Sequence, residues 1–246
     1  MSWFERKLEL KKTHDYCAVR NPKLTVVMIH GIAADSSSYK RALDYLEGTT
    51  SLREVRFVTF DLLGAGKSRK SDKLNYGFEE QLEALHNSIL KLKINTPMVL
   101  VGHSMGTMIA ARYASLHKRM VQKLILISAP VYTEKDLDNP AFAAAIKVFK
   151  EAVSVKNHKI LETKCFNNEM NRIVLNKHNY RTFAELTVPT VLIYGNMDQF
   201  IAAFNYPKLL KDNKDHLAAL KTEGRHGVSR DKYTKMVGIL EEMLHA

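Results

Sequence analysis

Ser104 stands at the centre of Gly102-His103-Ser104-Met105-Gly106. The apolar run Met98-Val99-Leu100-Val101 precedes it, and Met108-Ile109-Ala110-Ala111-Arg112-Tyr113-Ala114 follows. A serine at a sharp strand-to-helix turn has its hydroxyl lifted above the sheet edge. Glycines two before and two after it remove side chains that would collide there. Such a serine becomes a nucleophile when a histidine takes its proton, an acid orients that histidine and backbone N–H groups hold the developing oxyanion. The pentapeptide alone is a weak signal. The strand before it and the helix after it make it a strong one.

The acid expected from the pattern is Asp198, in Tyr194-Gly195-Asn196-Met197-Asp198, just past the C-terminal end of a strand. Asp136 and Asp138, after the preceding strand, are the alternatives. A plain Asp in a Gly-Asn turn, capping the next helix, is the ordinary reading of Asp198 when no elbow is near. Of the ten histidines, His226 in Glu223-Gly224-Arg225-His226-Gly227 follows the last strand and precedes the last helix, between glycines that let the loop fold back. His103, next to the serine, is expected to point away from it and to face the substrate pocket, because adjacent side chains at a strand end diverge. The oxyanion donors expected are the N–H of Met105 and that of Ile32, in His30-Gly31-Ile32-Ala33. Asp61 to Ser68 looks superficially like a phosphate loop, but that spacing needs a glycine where Asp61 stands.

These side chains need a sheet to align them. Leu24 to Ile29, Arg53 to Phe60, Val121 to Ser128, Val188 to Tyr194 and Leu217 to Thr222 read as further strands. Lys7 to Leu10 and Tyr16 to Val19 read as an opening hairpin around Thr13-His14-Asp15. Phe78, Leu82, Leu85, Ile89 and Leu92 recur at helical spacing. Tyr233, Met236, Val237, Leu240, Met243 and Leu244 form the stripe of a last amphipathic helix. Alternating strands and helices predict an α/β fold with a mostly parallel sheet of about eight strands, covered on both faces. From 131 to 187 the strand pattern stops. Asn139-Pro140 opens a helix carrying Phe142, Ile146 and Phe149, with more helical material from Ile160 to Leu175. The expected organisation is a core of 1–130 and 188–246, with 131–187 a helical cap inserted after the sixth strand. Ligands bind at the C-terminal edge of such sheets, so the cap would wall a substrate pocket there. Phe142, Ile146, Phe149 and Phe200 are its candidate lining.

Composition narrows the partners. Lys and Arg total 37 against 26 Asp and Glu, a net +11, but the lysines are scattered without aromatic interleaving, which argues against nucleic-acid binding. Cys17 and Cys165 are far apart and in no metal-binding spacing, so they read as isolated thiols. Met1 to Lys7 has no apolar core behind it, and no stretch approaches the ~20 apolar residues of a bilayer span. A cytoplasmic protein without membrane insertion is expected, with no metal, nucleotide or flavin cofactor.

Together, His30-Gly31, Asp61-x-x-Gly64-x-Gly66-x-Ser68, the Ser104 elbow, Asp198 and Gly224-Arg225-His226-Gly227 resemble the α/β-hydrolase fold superfamily over essentially the whole chain. The order Ser, Asp, His is that superfamily's. Thr107 and Ala33-Ala34-Asp35-Ser36 depart from it, since relatives often carry glycine after the elbow and after the HG pair. The resemblance implies that Asp61 shapes the turn beside the pocket. It also implies a serine hydrolase acting on a small-molecule acyl substrate, first a small carboxylic ester. A carbon–carbon bond hydrolase or lyase-like member acting on dienoate-type acids keeps the same triad, and a ligand-binding protein with little turnover is the non-enzymatic alternative.

Overall fold

The computed structural model describes residues 7–157 and 163–245. Met1 to Arg6 and the Ile160 end of the expected second cap helix lie outside the described residues. Seven strands form one sheet: β1 (Lys11–Tyr16), β2 (Leu24–Ile29), β3 (Val55–Asp61), β4 (Met98–His103), β5 (Lys123–Ile127), β6 (Thr190–Gly195) and β7 (Leu217–Thr222). Their order is β1-β3-β2-β4-β5-β6-β7, with every neighbouring pair parallel except β1 and β3. The helices are α1 (Lys40–Glu47), α2 (Phe78–Lys91), α3 (Met105–Leu116), α4 (Glu134–Leu137), α5 (Pro140–Asn157), α6 (Thr163–Glu169), α7 (Asn179–Ala184), α8 (Tyr206–Asp212) and α9 (Arg230–His245).

Alternation along β4 sorts the core into two layers, because successive strand side chains point to opposite faces. Leu100 packs on one side with Ile109 and Tyr113 of α3 and Leu85 of α2. Val99 and Val101 pack on the other with Leu43 and Leu46 of α1 and Met236 and Leu240 of α9. All six residues of β2 are buried, as a parallel strand covered on both faces requires.

The described residues form seven strands where about eight are expected, and the difference lies at the sheet edge. The segment read as an opening hairpin is a single strand running through its supposed turn. Asp15 takes both Nε and Nη2 of Arg56 on β3, at 2.7 and 2.9 Å, and the Thr13 and Thr59 hydroxyls meet at 2.8 Å. Hydrogen bonding to Arg56 pulls the Asp15 carboxyl down to about 2 against its partial burial. Cross-strand partners thus convert turn-like residues into a ladder. The helical segment α4–α7 accordingly follows the fifth strand in the chain rather than the sixth.

The chain runs outward in one direction from β2 to β3 and then in the other from β4 to β7. The order therefore reverses between β2 and β4, and the loops leaving those two strands flank the crevice where open α/β sheets bind ligands. Asn139 opens α5 as expected, its side chain accepting the Ala141 N–H at 2.9 Å. Gln81 of α2 fastens the segment to the core: it exchanges two hydrogen bonds with the Leu63 backbone and donates to Glu169 at the end of α6.

Truncating Leu100 to alanine, at 0% exposure in the central strand, should cost about 2–5 kcal/mol in urea unfolding. Leu90→Ala, at 54% exposure on α2, should stay within about 0.5 kcal/mol of the parent. Equal losses at both positions would contradict this layering.

Candidate active site

The β4–α3 turn is tightly built. Ser104 has φ 52° and ψ −122°, a conformation that L residues adopt only when their surroundings force it. Its N–H donates to Ile127 O on β5 at 2.9 Å, and its carbonyl accepts the Thr107 N–H and hydroxyl at 2.9 and 2.6 Å. A Cβ on Gly106 would sit 2.2 Å from Ile29 O, and one on Gly102 would sit 2.5 Å from Gly106 O. Both glycines are therefore steric necessities, and the Thr107 hydroxyl adds a hydrogen bond to the turn. Two more residues at this edge share the left-handed backbone, Ala33 beyond β2 (φ 53°) and Ser128 after β5 (φ 54°). Backbone strain gathers where three parallel strands end, as is common at sites of chemistry.

The loop after β2 lies against the serine: a Cβ on Gly31 would be 3.1 Å from Ser104 Cβ. His30 orients that loop from within. Its buried ring accepts the Leu62 N–H at Nε2 (2.9 Å), which leaves Nδ1–H to donate to Gly31 O (2.8 Å). Burial lowers the His30 pKa and keeps the ring neutral for this double role. Gly31 C=O and Ile32 N–H belong to one planar trans peptide and point in opposite directions. Tying the carbonyl to His30 therefore turns the Ile32 N–H the other way. Met105 begins α3, where the first N–H groups have no intrahelical acceptor.

Asp198 and His226 meet across the loops that follow β6 and β7. His226 Nδ1 is 2.9 and 3.0 Å from the two carboxylate oxygens, and the Asp198 side chain is fully buried. Burial pushes the Asp198 pKa up, but the His226 ring, the Ser128 hydroxyl and the Phe200 N–H outweigh it and hold the carboxyl below its ordinary value. An ionised Asp198 requires the proton on Nδ1 and leaves Nε2 as the free basic nitrogen of a neutral ring. The two loops are stitched together. Asn196 N–H donates to Thr222 O, Met197 N–H to Gly224 O, and Gly224 N–H to Asn196 Oδ1. Gly195 passes so close beneath Gly224 that a Cβ there would lie 2.2 Å from Gly224 O.

Residues 25–154, just over half of the sequence, match the alpha/beta hydrolase fold family. The chain belongs to that family. Among curated proteins this hydrolase-fold chain is 26% identical over 216 residues to the AB hydrolase superfamily protein YisY of Bacillus subtilis, covering 76% of this chain and 78% of that protein. It is 30% identical over 135 residues to the probable lysophospholipase BODYGUARD 5 of Arabidopsis thaliana, covering 54% of this chain and 30% of the plant protein. The chain thus spans about a third or less of the length of the plant relatives that it matches. Among solved structures, the esterase EaEST of Exiguobacterium antarcticum superposes with a TM-score of 0.70 at 22% identity, over 96% of each chain. At that identity the likeness is one of fold.

Within this hydrolase fold the other expected residues are distributed as follows. His103 is directed away from open solvent: its Nε2–H donates to the His226 carbonyl at 2.8 Å, its ring lies 5.1 Å from that of His226, and its Nδ1 is buried without a partner. Burial holds its pKa down to about 3, so it is neutral. His103 thus packs beside His226 with its donor committed to that carbonyl, and its Nδ1 faces the Gly31 loop, 3.3 Å from where a Gly31 Cβ would stand. Phe200 stands edge-on to the His226 ring at 5.4 Å and touches Phe149 of α5, while Phe142 packs edge-on against Tyr132. Ile146 lies half-buried on the same helix. Asp136 is taken up by a capping box with Thr133 and by Asn205, and exposed Asp138 faces Lys177 at 3.9 Å. Asp61 accepts the Ser36 and Lys67 N–H groups at 2.9 and 2.7 Å, which ties the loop after β2 to the turn after β3. No hydrogen bond joins Ser104 Oγ to His226 among the described residues; in unliganded enzymes this contact is often long and tightens with substrate. A cavity of about 820 Å³ between α2, α3 and α7, lined by His86, Arg112, His117 and His178, contains none of these residues. The described residues contain no cluster of three or more His, Cys, Asp or Glu placed to hold a metal ion, and no helix among them is long and apolar enough to cross a membrane.

Two residues of this region were not singled out in the sequence. Lys232, fully buried on α9, contacts Ser128 Oγ and three carbonyls of the His226 loop, and Ser128 sits beside Asp198. A signal was present: Lys232 stands four before Met236 and eight before Leu240, on the apolar stripe of the last helix.

Gly106→Ala forces a methyl group into the Ile29 carbonyl, and it should destabilise the fold by about 1–3 kcal/mol or prevent soluble expression altogether. Gly238→Ala, where a Cβ meets nothing within 4 Å on α9, should stabilise by a few tenths up to about 1 kcal/mol. Thermal melts of the pair decide; a Gly106→Ala protein as stable as the parent would contradict the turn described.

Proposed function

We propose that this chain is a serine hydrolase of carboxylic esters working through Ser104, His226 and Asp198 with an acyl-enzyme intermediate. The observation that carries the reading is the buried Asp198 carboxylate gripping His226 Nδ1, at the same sheet edge as a strained serine. His226 Nε2 takes the Ser104 proton as Oγ attacks the ester carbonyl. The Ile32 and Met105 N–H groups receive the oxyanion, with His30 holding the first of them in place. His226 then protonates the leaving alkoxide, and water repeats the sequence in reverse to free the acid and the serine. No cofactor enters this cycle.

In this reading 131–187 acts as the helical cap over a core of 1–130 and 188–246. The contact of Phe149 with Phe200, and of Phe200 with His226, supports an apolar wall running from α5 to the base. A small carboxylic ester is the first substrate class. A monoacyl lipid is the second. It is favoured by the exposure of Met197, Phe200 and Phe204 around Asp198, at 55, 47 and 73%, and is in keeping with the relatives named as probable lysophospholipases.

A fluorophosphonate probe should label the wild-type protein and not Ser104→Ala; a folded wild type that resists the probe removes the enzyme reading. Asp198→Asn should keep the fold and lose roughly 10³–10⁴ in kcat, because the amide stabilises the wrong imidazole tautomer. His30→Ala should lower kcat about 10- to 100-fold with KM nearly unchanged, since it loosens one oxyanion donor rather than deleting it. Rates for p-nitrophenyl esters of increasing chain length separate the substrate classes: a peak at acetate or butyrate selects the first, a steady rise through decanoate the second.

A further inference from the structure

Among the described residues, Lys232 is a buried cation that the triad does not use. Its side chain comes up from α9 beneath the His226 loop. Its Nζ donates to Arg225 O at 2.6 Å, Gly227 O at 3.0 Å and His226 O at 3.3 Å, and to Ser128 Oγ at 2.7 Å. The His226 carbonyl also receives His103 Nε2–H at 2.8 Å. The main chain of the base is thereby pinned from two elements at once, α9 below and the elbow beside it. Ser128 occupies the left-handed backbone at the end of β5, which brings its hydroxyl between the ammonium and Asp198. A buried ammonium that makes contacts with three consecutive carbonyls is an expensive way to hold a loop, because an apolar side chain would spare its desolvation. What only a cation supplies is a field on Asp198 and a full set of donors for that loop.

We propose that Lys232 is a positioning residue for the reaction: its protonated amine fixes the backbone of the His226 loop and, through Ser128, the setting of Asp198, so turnover is fastest while that amine carries its proton. The inference rests on the triad assigned above. The titratable groups that face Lys232 are Asp198 beyond β6, His103 at the end of β4 and His226 in the loop it holds; β5 contributes only the Ser128 hydroxyl. Burial lowers the Lys232 pKa to about 8 in spite of the attraction of Asp198. His103 is neutral across the whole working range and Asp198 ionised, so neither changes charge near pH 8. The sign is then fixed. The rate falls as pH passes through about 8 and Lys232 loses its proton and one donor.

The test is the second-order rate of fluorophosphonate labelling of Ser104, with kcat and KM for an ester alongside, from about pH 6 to about pH 10. Wild type should show a falling limb near pH 8. Lys232→Met should lower labelling and kcat by about 10- to 100-fold at neutral pH, the loss expected from a small misplacement of the base, with KM within about twofold. Its falling limb should be absent. Lys232→Gln keeps a donor without the charge and should recover part of kcat while still lacking the limb. A wild-type rate that is flat through pH 9, a Lys232→Met rate within about twofold of wild type, or a falling limb that survives in either folded variant overturns the proposal. Should both variants fail to fold, the wild-type profile alone decides it. A wild type that is never labelled would instead remove the triad reading, so the two failures are distinguishable.

Discussion

A single turn sets the terms for everything around it. Ser104 must leave β4 and enter α3 within one residue, and a left-handed backbone at a non-glycine position costs on the order of 1–3 kcal/mol. That conformation persists because its neighbours over-determine it. Ile127 O captures the Ser104 N–H, Thr107 captures its carbonyl twice, and Gly102 and Gly106 let the first turn of α3 press onto the strand ends. The central place of β4, with β2 and β5 on either side, makes the crossing rigid. A buried strand covered on both faces anchors such a turn, so the sheet's apolar runs and the backbone of Ser104 belong to one design.

The same constraint explains how the remaining side chains arrive. Parallel strands all end at one edge, so residues that follow different strands converge without any long loop. Gly31 comes from β2, Ser104 from β4, Ser128 from β5, Asp198 from β6 and His226 from β7. The last two loops are joined by backbone and side chain together, with Gly195 and Gly224 in close approach and the Asn196 side chain hydrogen-bonded across. His30 performs a comparable task on the other flank, turning one peptide plane by gripping both Gly31 and Leu62.

Much of this was legible in the chain because the signals are local. Leu24 to Ile29 and Leu217 to Thr222 form strands over those same residues, and the helix expected from Phe78 onward begins there. The Gly-x-Ser-x-Gly context, Asp198 after a strand and His226 between glycines could be read in order, and the last two meet at hydrogen-bonding distance. Non-local interactions were illegible. Thr13-His14-Asp15 carries turn residues, but Arg56 and Thr59 from a strand some forty positions away hold it extended. His103 sits one residue from Ser104, yet its hydrogen bond goes to the His226 carbonyl, 123 residues on. Lys232 was masked by its type. A lysine on an apolar stripe is usually discounted as one that snorkels to solvent, and its partners are carbonyls, which carry no mark in a sequence.

That buried lysine also bears on how the fold responds to alkali. A cation whose pKa falls on folding, here from the ordinary 10.5 to about 8, binds its proton less tightly in the native state than in the unfolded one. Between those two values the unfolded chain holds more protons, and by linkage the free energy of unfolding rises with pH. The contribution is complete above the unfolded value and is surrendered as pH falls through the folded one. At neutral pH the protein therefore carries a charge that its own interior disfavours, and the Lys232 contribution to stability is smaller there than it is above the unfolded value.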